Sequence, residues 1–137
     1  MSPPAAPAVE TETLIALLGE QRYAEGATLA RSLLQEQPDD GLLCHLLGVC
    51  LLAQGLADEA LPLLQQATTH LPDDAELHYR VASACRKTGR LPEAVSSYQR
   101  AIALQPENVE THISLGNCLK AQNRLPEALN CYRRAVE

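Results

Sequence analysis

Apolar residues recur along this chain with the spacing of amphipathic helices, and short polar steps rich in Pro, Gly, Asp and Asn interrupt the pattern. Leu and Ala supply most apolar positions while Phe and Trp are absent, a composition that favours helix over strand. The pattern therefore predicts an all-α chain. Its helices are expected at 9–20, 23–36, 41–54, 57–70, 75–88, 91–104, 109–122 and 125–137.

The polar interruptions return every 34 residues, and such a period indicates a repeat architecture. Pro38, Pro72 and Pro106 keep this spacing. We expect a degenerate first unit, which departs most from the pattern, and a truncated last unit, which stops before its closing Pro. The spacing predicts four units of two helices each, at 7–40, 41–74, 75–108 and 109–137.

Small residues fall where the two helices of a unit should meet. Gly and Ala are expected to let the helices approach closely, because a larger side chain would hold them apart. The columns are Gly48, Ala82 and Gly116 on the first helices, and Ala60, Ala94, Ala128, Ala67, Ala101 and Ala135 on the second.

The polar steps carry residues suited to ending and starting helices. A left-handed residue is expected between the two helices of a unit, and a side-chain cap before the first helix. Pro92 and Pro126 should lie in the first turn of second helices, whereas Pro62 lies inside one and predicts a kink or a late start. The expected turn residues are Gly55, Gly89 and Asn123, and the expected caps are Asp40, Asp74 and Asn108.

The period and its motifs resemble the tetratricopeptide repeat. The Leu47-Gly48 pair and the Glu93-Ala94 step, continued by Tyr98, belong to the resemblance. It implies a right-handed superhelical α-solenoid of helix-turn-helix hairpins, a single domain over residues 9–137. The stretch of the last unit from Leu115 to Ala128 is also similar to the repeats of O-linked N-acetylglucosamine transferases.

In such a stack the first helices of the units line a concave groove that binds a partner polypeptide. The groove is expected to change from apolar to polar and basic along its length. Helix periodicity assigns to it Leu42, His45, Leu46, Val49, Leu52, Tyr79, Arg80, Ser83, Lys87, Ile113, Ser114, Asn117 and Lys120.

The helix expected at 41–54 is apolar nearly all round, and a helix of this kind is usually covered on every side. Two interpretations follow. In the first, the terminal arm or the first unit covers the helix. In the second, the helix offers a strip for an apolar segment of a partner.

A second apolar surface is expected at the end of the chain, which falls inside the last helix. Leu129, Tyr132 and Val136 would normally meet a following helix, and they form the expected stacking face. Either the chain is a piece of a longer protein, or two copies cover each other's open ends.

Charge argues against nucleic acid as a partner, because the formal net charge is −6. The charge is uneven: residues 1–74 hold 2 Arg against 11 acidic residues, and residues 75–137 hold 9 basic against 6 acidic residues. The chain is therefore dipolar along its length, either as a chance distribution of solvated charge or as a guide to a docked partner.

The remaining features point to a cytoplasmic protein. The five Cys form no CxxC pair and fit reduced thiols. Residues 1–8 are rich in Pro and Ala, lack the basic residues of a secretory signal, and predict a disordered arm. No apolar run is long enough to span a membrane.

No pattern of catalytic residues accompanies these features. Cys44, His78 and His112 share one column, but equivalent residues of stacked units lie roughly 10 Å apart, too far for one zinc ion. The serines lack an activating His and Asp, and no phosphate-binding loop is present. We expect no enzymatic activity, no metal and no cofactor in these residues.

Three functions remain under consideration. The first is a non-catalytic scaffold whose groove binds a peptide segment or helix of another protein. The second is a self-association module that forms a homo-oligomer through its uncapped end. The third is the substrate-recruiting arm of a larger transferase, of the glycosyltransferase or sulfotransferase type.

Overall fold

The computed structural model describes residues 8–137, and within them every regular element is an α-helix. Each observed helix begins and ends within two residues of its expected position. The helices are α1 (Ala8–Gly19), α2 (Tyr23–Glu36), α3 (Gly41–Ala53), α4 (Ala57–His70), α5 (Ala75–Lys87), α6 (Leu91–Leu104), α7 (Val109–Ala121) and α8 (Leu125–Ala135). The all-α class predicted from the hydrophobic pattern is thereby confirmed.

Side-chain caps start α3, α5 and α7. Each cap residue is extended, and its side chain accepts a hydrogen bond from the amide three residues later, which would otherwise lack a partner in the first turn. The three expected caps are confirmed. The bonds run from Leu43 N–H to Asp40 at 3.1 Å, from Leu77 N–H to Asp74 at 3.1 Å and from Thr111 N–H to Asn108 at 3.3 Å.

A residue with positive φ separates the two helices of every hairpin. Gly55 and Gly89 have φ of 80°, and Asn123 has φ of 60°, so the expected left-handed turns are confirmed. Gln21 fills the same position in the first hairpin with φ of 61°. The turn is therefore kept in the first unit, although its residue departs from the pattern.

The prolines of the second helices occupy two kinds of position. Pro92 and Pro126 lie in the first turns of α6 and α8. Pro62 does not delay the start of α4, since the helix begins at Ala57, the position equivalent to Leu91 of α6; the kink expected as the alternative stays a prediction. Pro62 is exposed, so water can reach the helix backbone where the proline ring removes a hydrogen bond.

The small residues lie at the contacts within the hairpins, as expected. A Cβ added to Gly48 would overlap the Leu64 side chain of α4, and one added to Gly116 would lie 2.6 Å from Cε1 of Tyr132 on α8. The alanines of the second helices are buried. In the α3–α4 and α7–α8 hairpins, a large side chain of the second helix therefore packs over a glycine of the first.

The chain forms two units, Met1–Pro72 and Asp73–Glu137. In the first unit α2 packs against α1 and α3, and α3 packs against α4. In the second unit α6 packs against α5 and α7, and α7 packs against α8. Among the described residues, no helix is long and apolar enough to cross a membrane.

Candidate partner-binding surfaces

One side of α3 carries apolar side chains that the first unit leaves partly open. Leu42 is 43% exposed, and Leu46 and Val49 are half-buried. Their spacing of four and three residues places them on one face of the helix. We name Leu42, Leu46 and Val49 the α3 strip. His45 and Leu52, assigned to the same groove from the sequence, are buried and leave little surface for a partner.

The first unit covers α3 only in part. α2 and α4 pack against it, and nine of its residues are buried, yet the α3 strip stays accessible. The alternative in which the terminal arm covers the helix concerns residues 1–8, of which residues 1–7 lie outside the described part of the chain and Ala8 begins α1.

The second unit contains a cavity of about 370 Å³ beside α5 and α7. Three of the residues assigned to the groove from the sequence, Tyr79, Arg80 and Ser83, meet there. Asn108 also lines it, although the sequence indicated only a capping role for this residue. The carboxylates of Glu76 and Glu110 complete its polar rim.

A connected set of contacts orients the side chains around this cavity. The Tyr79 hydroxyl donates a hydrogen bond to Glu110 Oε1 at 3.0 Å and lies 3.4 Å from Ser114 Oγ. The Tyr79 ring meets Tyr98 edge-on, with centroids 5.6 Å apart. Arg80 lies 5.9 Å from the centroid of the Tyr79 ring and donates to Glu76 at 3.3 Å.

Arg80 has a hydrogen-bond donor in this region that is not used within the described residues. Its Nε is buried and finds no acceptor among residues 8–137, although one terminal nitrogen bonds to Glu76. A buried donor without an acceptor is costly, so a shift of the Arg80 side chain that pairs this nitrogen with a carbonyl or carboxylate oxygen of a ligand would be favourable.

The other residues assigned to the groove of the second unit do not line this cavity. Ser114 is buried, whereas Ile113 is exposed. Lys87 and Lys120 are exposed near the carboxyl ends of α5 and α7. Asn117 accepts a hydrogen bond of 2.6 Å from the Tyr132 hydroxyl.

The face of α8 expected to stack is open at two of its three positions. Leu129 is 58% exposed, and Val136, the residue that follows the last turn of α8, is 86% exposed. Tyr132 is half-buried, because one side of its ring packs over Gly116. Leu125, at the start of the same helix, is also exposed.

The five cysteines are buried. Burial raises the pKa of every cysteine thiol, so these groups stay protonated at neutral pH and are poor nucleophiles. His112 is buried with its Nε2 at 2.7 Å from the Pro106 carbonyl oxygen. In the described residues, no three His, Cys, Asp or Glu side chains are placed to hold a metal ion.

Comparisons with known proteins agree with this architecture. A family model described as "Tetratricopeptide repeat" matches residues 12–75 and 47–109, and another with the same description matches residues 86–137. The search of curated proteins gave no significant match.

Solved structures with a similar fold include several MamA proteins. "MamA 41-end from Desulfovibrio magneticus RS-1" superposes with a TM-score of 0.89 at 23% identity, over 96% of this chain and 75% of that one. "MamA AMB-1 C2221" gives 0.83 at 25%, over 93% and 75%. "Crystal structure of MamA" gives 0.87 at 14%, over 93% and 74%. These likenesses support the helical-repeat fold.

Proposed function

Because this chain belongs to the tetratricopeptide repeat family, we propose that it is a non-catalytic interaction module that binds a segment of another polypeptide on the α3 strip. The ligand is an extended peptide or a helix with apolar side chains spaced to meet Leu42, Leu46 and Val49. Such a surface recognises a partner mainly by removing apolar area from water.

The exposure of Leu42 is the observation that carries this proposal. α3 is the most apolar helix of the described chain, and most of its side chains are buried inside the first unit. Leu42 and its neighbours on the strip stay accessible although polar residues would be tolerated there: the equivalent positions in α5 hold Glu76, Arg80 and Ser83. A row of accessible apolar side chains at positions free to be polar is typical of a binding surface.

The cavity of the second unit also suits a polypeptide ligand, through hydrogen bonds and charge rather than apolar contact. Arg80 Nε lacks an acceptor, and a polypeptide offers carbonyl oxygens along its backbone and carboxylates on its side chains. Glu76 and Glu110 on the rim favour peptides that also carry a Lys or Arg.

The test starts from a random peptide library displayed on phage and selected against the whole chain. The enriched peptides are then measured by fluorescence anisotropy against Leu42→Asp and Leu46→Asp. We expect each substitution to weaken binding by about tenfold or more, because it places a charge in an apolar contact. Circular dichroism should show unchanged helicity.

Leu104→Asp serves as the matched control, because Leu104 of α6 is exposed to nearly the same extent as Leu42. It should bind the selected peptides as the wild type does. Selected peptides that bind all three variants equally well would refute the α3 strip as the binding surface.

A second candidate function, self-association, is favoured by the open apolar face of α8, where Leu129 and Val136 are exposed. Light scattering over a range of protein concentrations tests it: a strict monomer at the highest concentration would reject it. The resemblance of the last repeats to those of O-linked N-acetylglucosamine transferases, and with it the transferase arm, stays a prediction that the downstream coding sequence decides.

A further inference from the structure

The apolar face of α8 consists of positions that are buried elsewhere in this chain. Val95 of α6 and Ala27 of α2 are equivalent to Leu129 in the 34-residue period, and both are almost fully buried, whereas Leu129 is 58% exposed. α6 packs against α7, and α2 packs against α3. The face of α8 thus has the composition of the second helix of a repeat that is covered by the first helix of the next repeat. Within its own unit, α8 packs against α7.

The contact of α6 with α7 shows which residues such a covering helix presents. Tyr98 of α6 lies beside Ser114 and Cys118 of α7. Gln99 and Ile102 of α6 line a cavity of about 230 Å³ together with residues of α7. The residues of α7 on that cavity are His112, Leu115 and Leu119.

The face of α1 that corresponds to these residues of α7 packs on no preceding helix in the described part of the chain. Val9 is 71% exposed, whereas its equivalents, Leu43 of α3 and Thr111 of α7, are buried. Ala16 is also exposed, although its equivalent in α7, Cys118, is buried. The exposed surface of α1 is therefore equivalent to the surface by which α3 packs on α2 and α7 packs on α6.

The charges of the two faces are complementary when the register of α6 with α7 is applied to α8 with α1. In that register Arg133 takes the place of Gln99 and Glu10 takes the place of His112, which line the same cavity, so Arg133 and Glu10 would lie on facing surfaces. Tyr132 takes the place of Tyr98 and faces Glu12 and Ala16. α1 contains acidic residues and no basic one, and among residues 8–137 neither Arg133 nor Glu10 takes part in an ion pair.

We propose that α1 of a second copy of this chain docks on α8 in the register by which α7 covers α6. The contact buries Leu129, Tyr132 and Val136 and pairs Arg133 with Glu10 of the other copy. This inference rests on the proposed self-association and adds its partner helix, register and polarity. The contact is heterologous, so each added copy leaves one α8 and one α1 open, and assembly continues head to tail.

Two variants that each block one end test the polarity. Ala16→Arg places a long charged side chain on the exposed face of α1, and Leu129→Lys removes the apolar centre of the α8 face. In sedimentation velocity the wild-type chain should form species that grow with concentration, and each variant alone should stay monomeric. An equal mixture should form a heterodimer and nothing larger, because the free α8 of one variant meets the free α1 of the other. Ala103→Arg, which adds the same charge at an exposed position of α6, should assemble as the wild type does.

Charge exchange tests the register. Glu10→Arg and Arg133→Glu should each weaken self-association by about threefold to tenfold, and the variant carrying both changes should recover it, because the pair is restored with opposite polarity. The wild-type chain staying monomeric at all concentrations would overturn self-association and this inference together. Dimers of Ala16→Arg would overturn only the head-to-tail polarity, and a double variant no better than the single ones would overturn only the register.

Discussion

Gly48 of α3 lies against the Leu64 side chain of α4 and has no room for a side chain of its own. We predict that Gly48→Ala lowers the free energy of unfolding by about 1–3 kcal/mol, because the new methyl group would overlap Leu64, which is fully buried and has nowhere to move. Urea denaturation followed by circular dichroism measures the change.

Gly19→Ala is the control for this prediction, since a Cβ at Gly19 meets no heavy atom within 4 Å. Alanine is a better helix former than glycine by about 1 kcal/mol, so Gly19→Ala should be neutral or slightly stabilising. Equal stability of the two variants would mean that the contact of Gly48 with Leu64 does not limit the approach of the helices.

Ionisation of the Tyr98 hydroxyl is expected to lower the stability of the folded chain at alkaline pH. Burial raises the pKa of Tyr98 from 10.0 to about 12, with a smaller opposing effect of Arg86. Above pH 10 the unfolded chain releases this proton while the folded chain keeps it, so the contribution of Tyr98 is complete below pH 10 and is lost as pH rises towards 12.

Tyr98→Phe should therefore lose less stability than the wild type when pH rises from 9 to 11, by about 1 kcal/mol. Urea denaturation at both values measures the difference, and the same comparison between pH 7 and pH 9 is the control, where the gap between the two proteins should stay constant. Parallel curves up to pH 11 would show that the Tyr98 hydroxyl titrates alike in the folded and unfolded chains.

Single residues also show how far the sequence alone could lead. The columns of Gly and Ala predicted the hairpin contacts because a close approach of helices leaves few alternatives at those positions. Exposure was harder to predict: His45, Leu52 and Ser114 were assigned to an open groove and are buried. Periodicity gives the direction of a side chain on its own helix, but its exposure depends on how deeply that helix lies among its neighbours.

The residues at its two ends determine where each helix begins and ends. The turn after α1 offers a test of this. Gln21 has the left-handed backbone that glycine adopts in the turns at Gly55 and Gly89. We predict that Gln21→Gly stabilises the chain by about 0.5–1 kcal/mol, because a left-handed conformation strains a residue with a Cβ. Thermal and urea denaturation measure the gain.

The matched control is Gln35→Gly, which makes the same change at an exposed position inside α2. There the glycine should cost about 1 kcal/mol, since it weakens a regular helix. Opposite signs for the two substitutions would locate the effect in the turn, and a loss of stability from both would contradict the left-handed assignment of Gln21.

Element boundaries were predicted well because caps and turns are local. Asp74 accepts its hydrogen bond from an amide three residues away, so a short stretch of sequence is enough to identify it. Pro62 shows the limit of such local reasoning: a proline in a helical pattern predicts disruption, but α4 begins at the regular position and keeps Pro62 exposed. The tolerance depends on which side of the helix faces solvent, and this follows from packing.

Across the whole molecule the charges are divided between the two ends of the sequence. Residues 1–74 carry 2 Arg and 11 acidic residues, whereas residues 75–137 carry 9 basic and 6 acidic residues. A contact between α8 of one copy and α1 of another brings opposite charges together, whereas a contact between two α8 faces brings together like charges such as those of Arg133 and Arg134. The sign of the salt dependence therefore separates the two arrangements.

We predict that raising the salt concentration from about 50 mM to about 500 mM weakens wild-type self-association by about threefold to tenfold, because the attraction across the head-to-tail contact is screened. Sedimentation equilibrium at several salt concentrations measures this change. Arg133→Glu is the informative variant: it removes the attraction to Glu10, so its weaker association should respond less to salt or even strengthen as repulsion is screened. If wild-type association instead grew stronger with salt, apolar area or paired α8 faces would dominate the contact, and the division of charge along the sequence would have no part in ordering the copies.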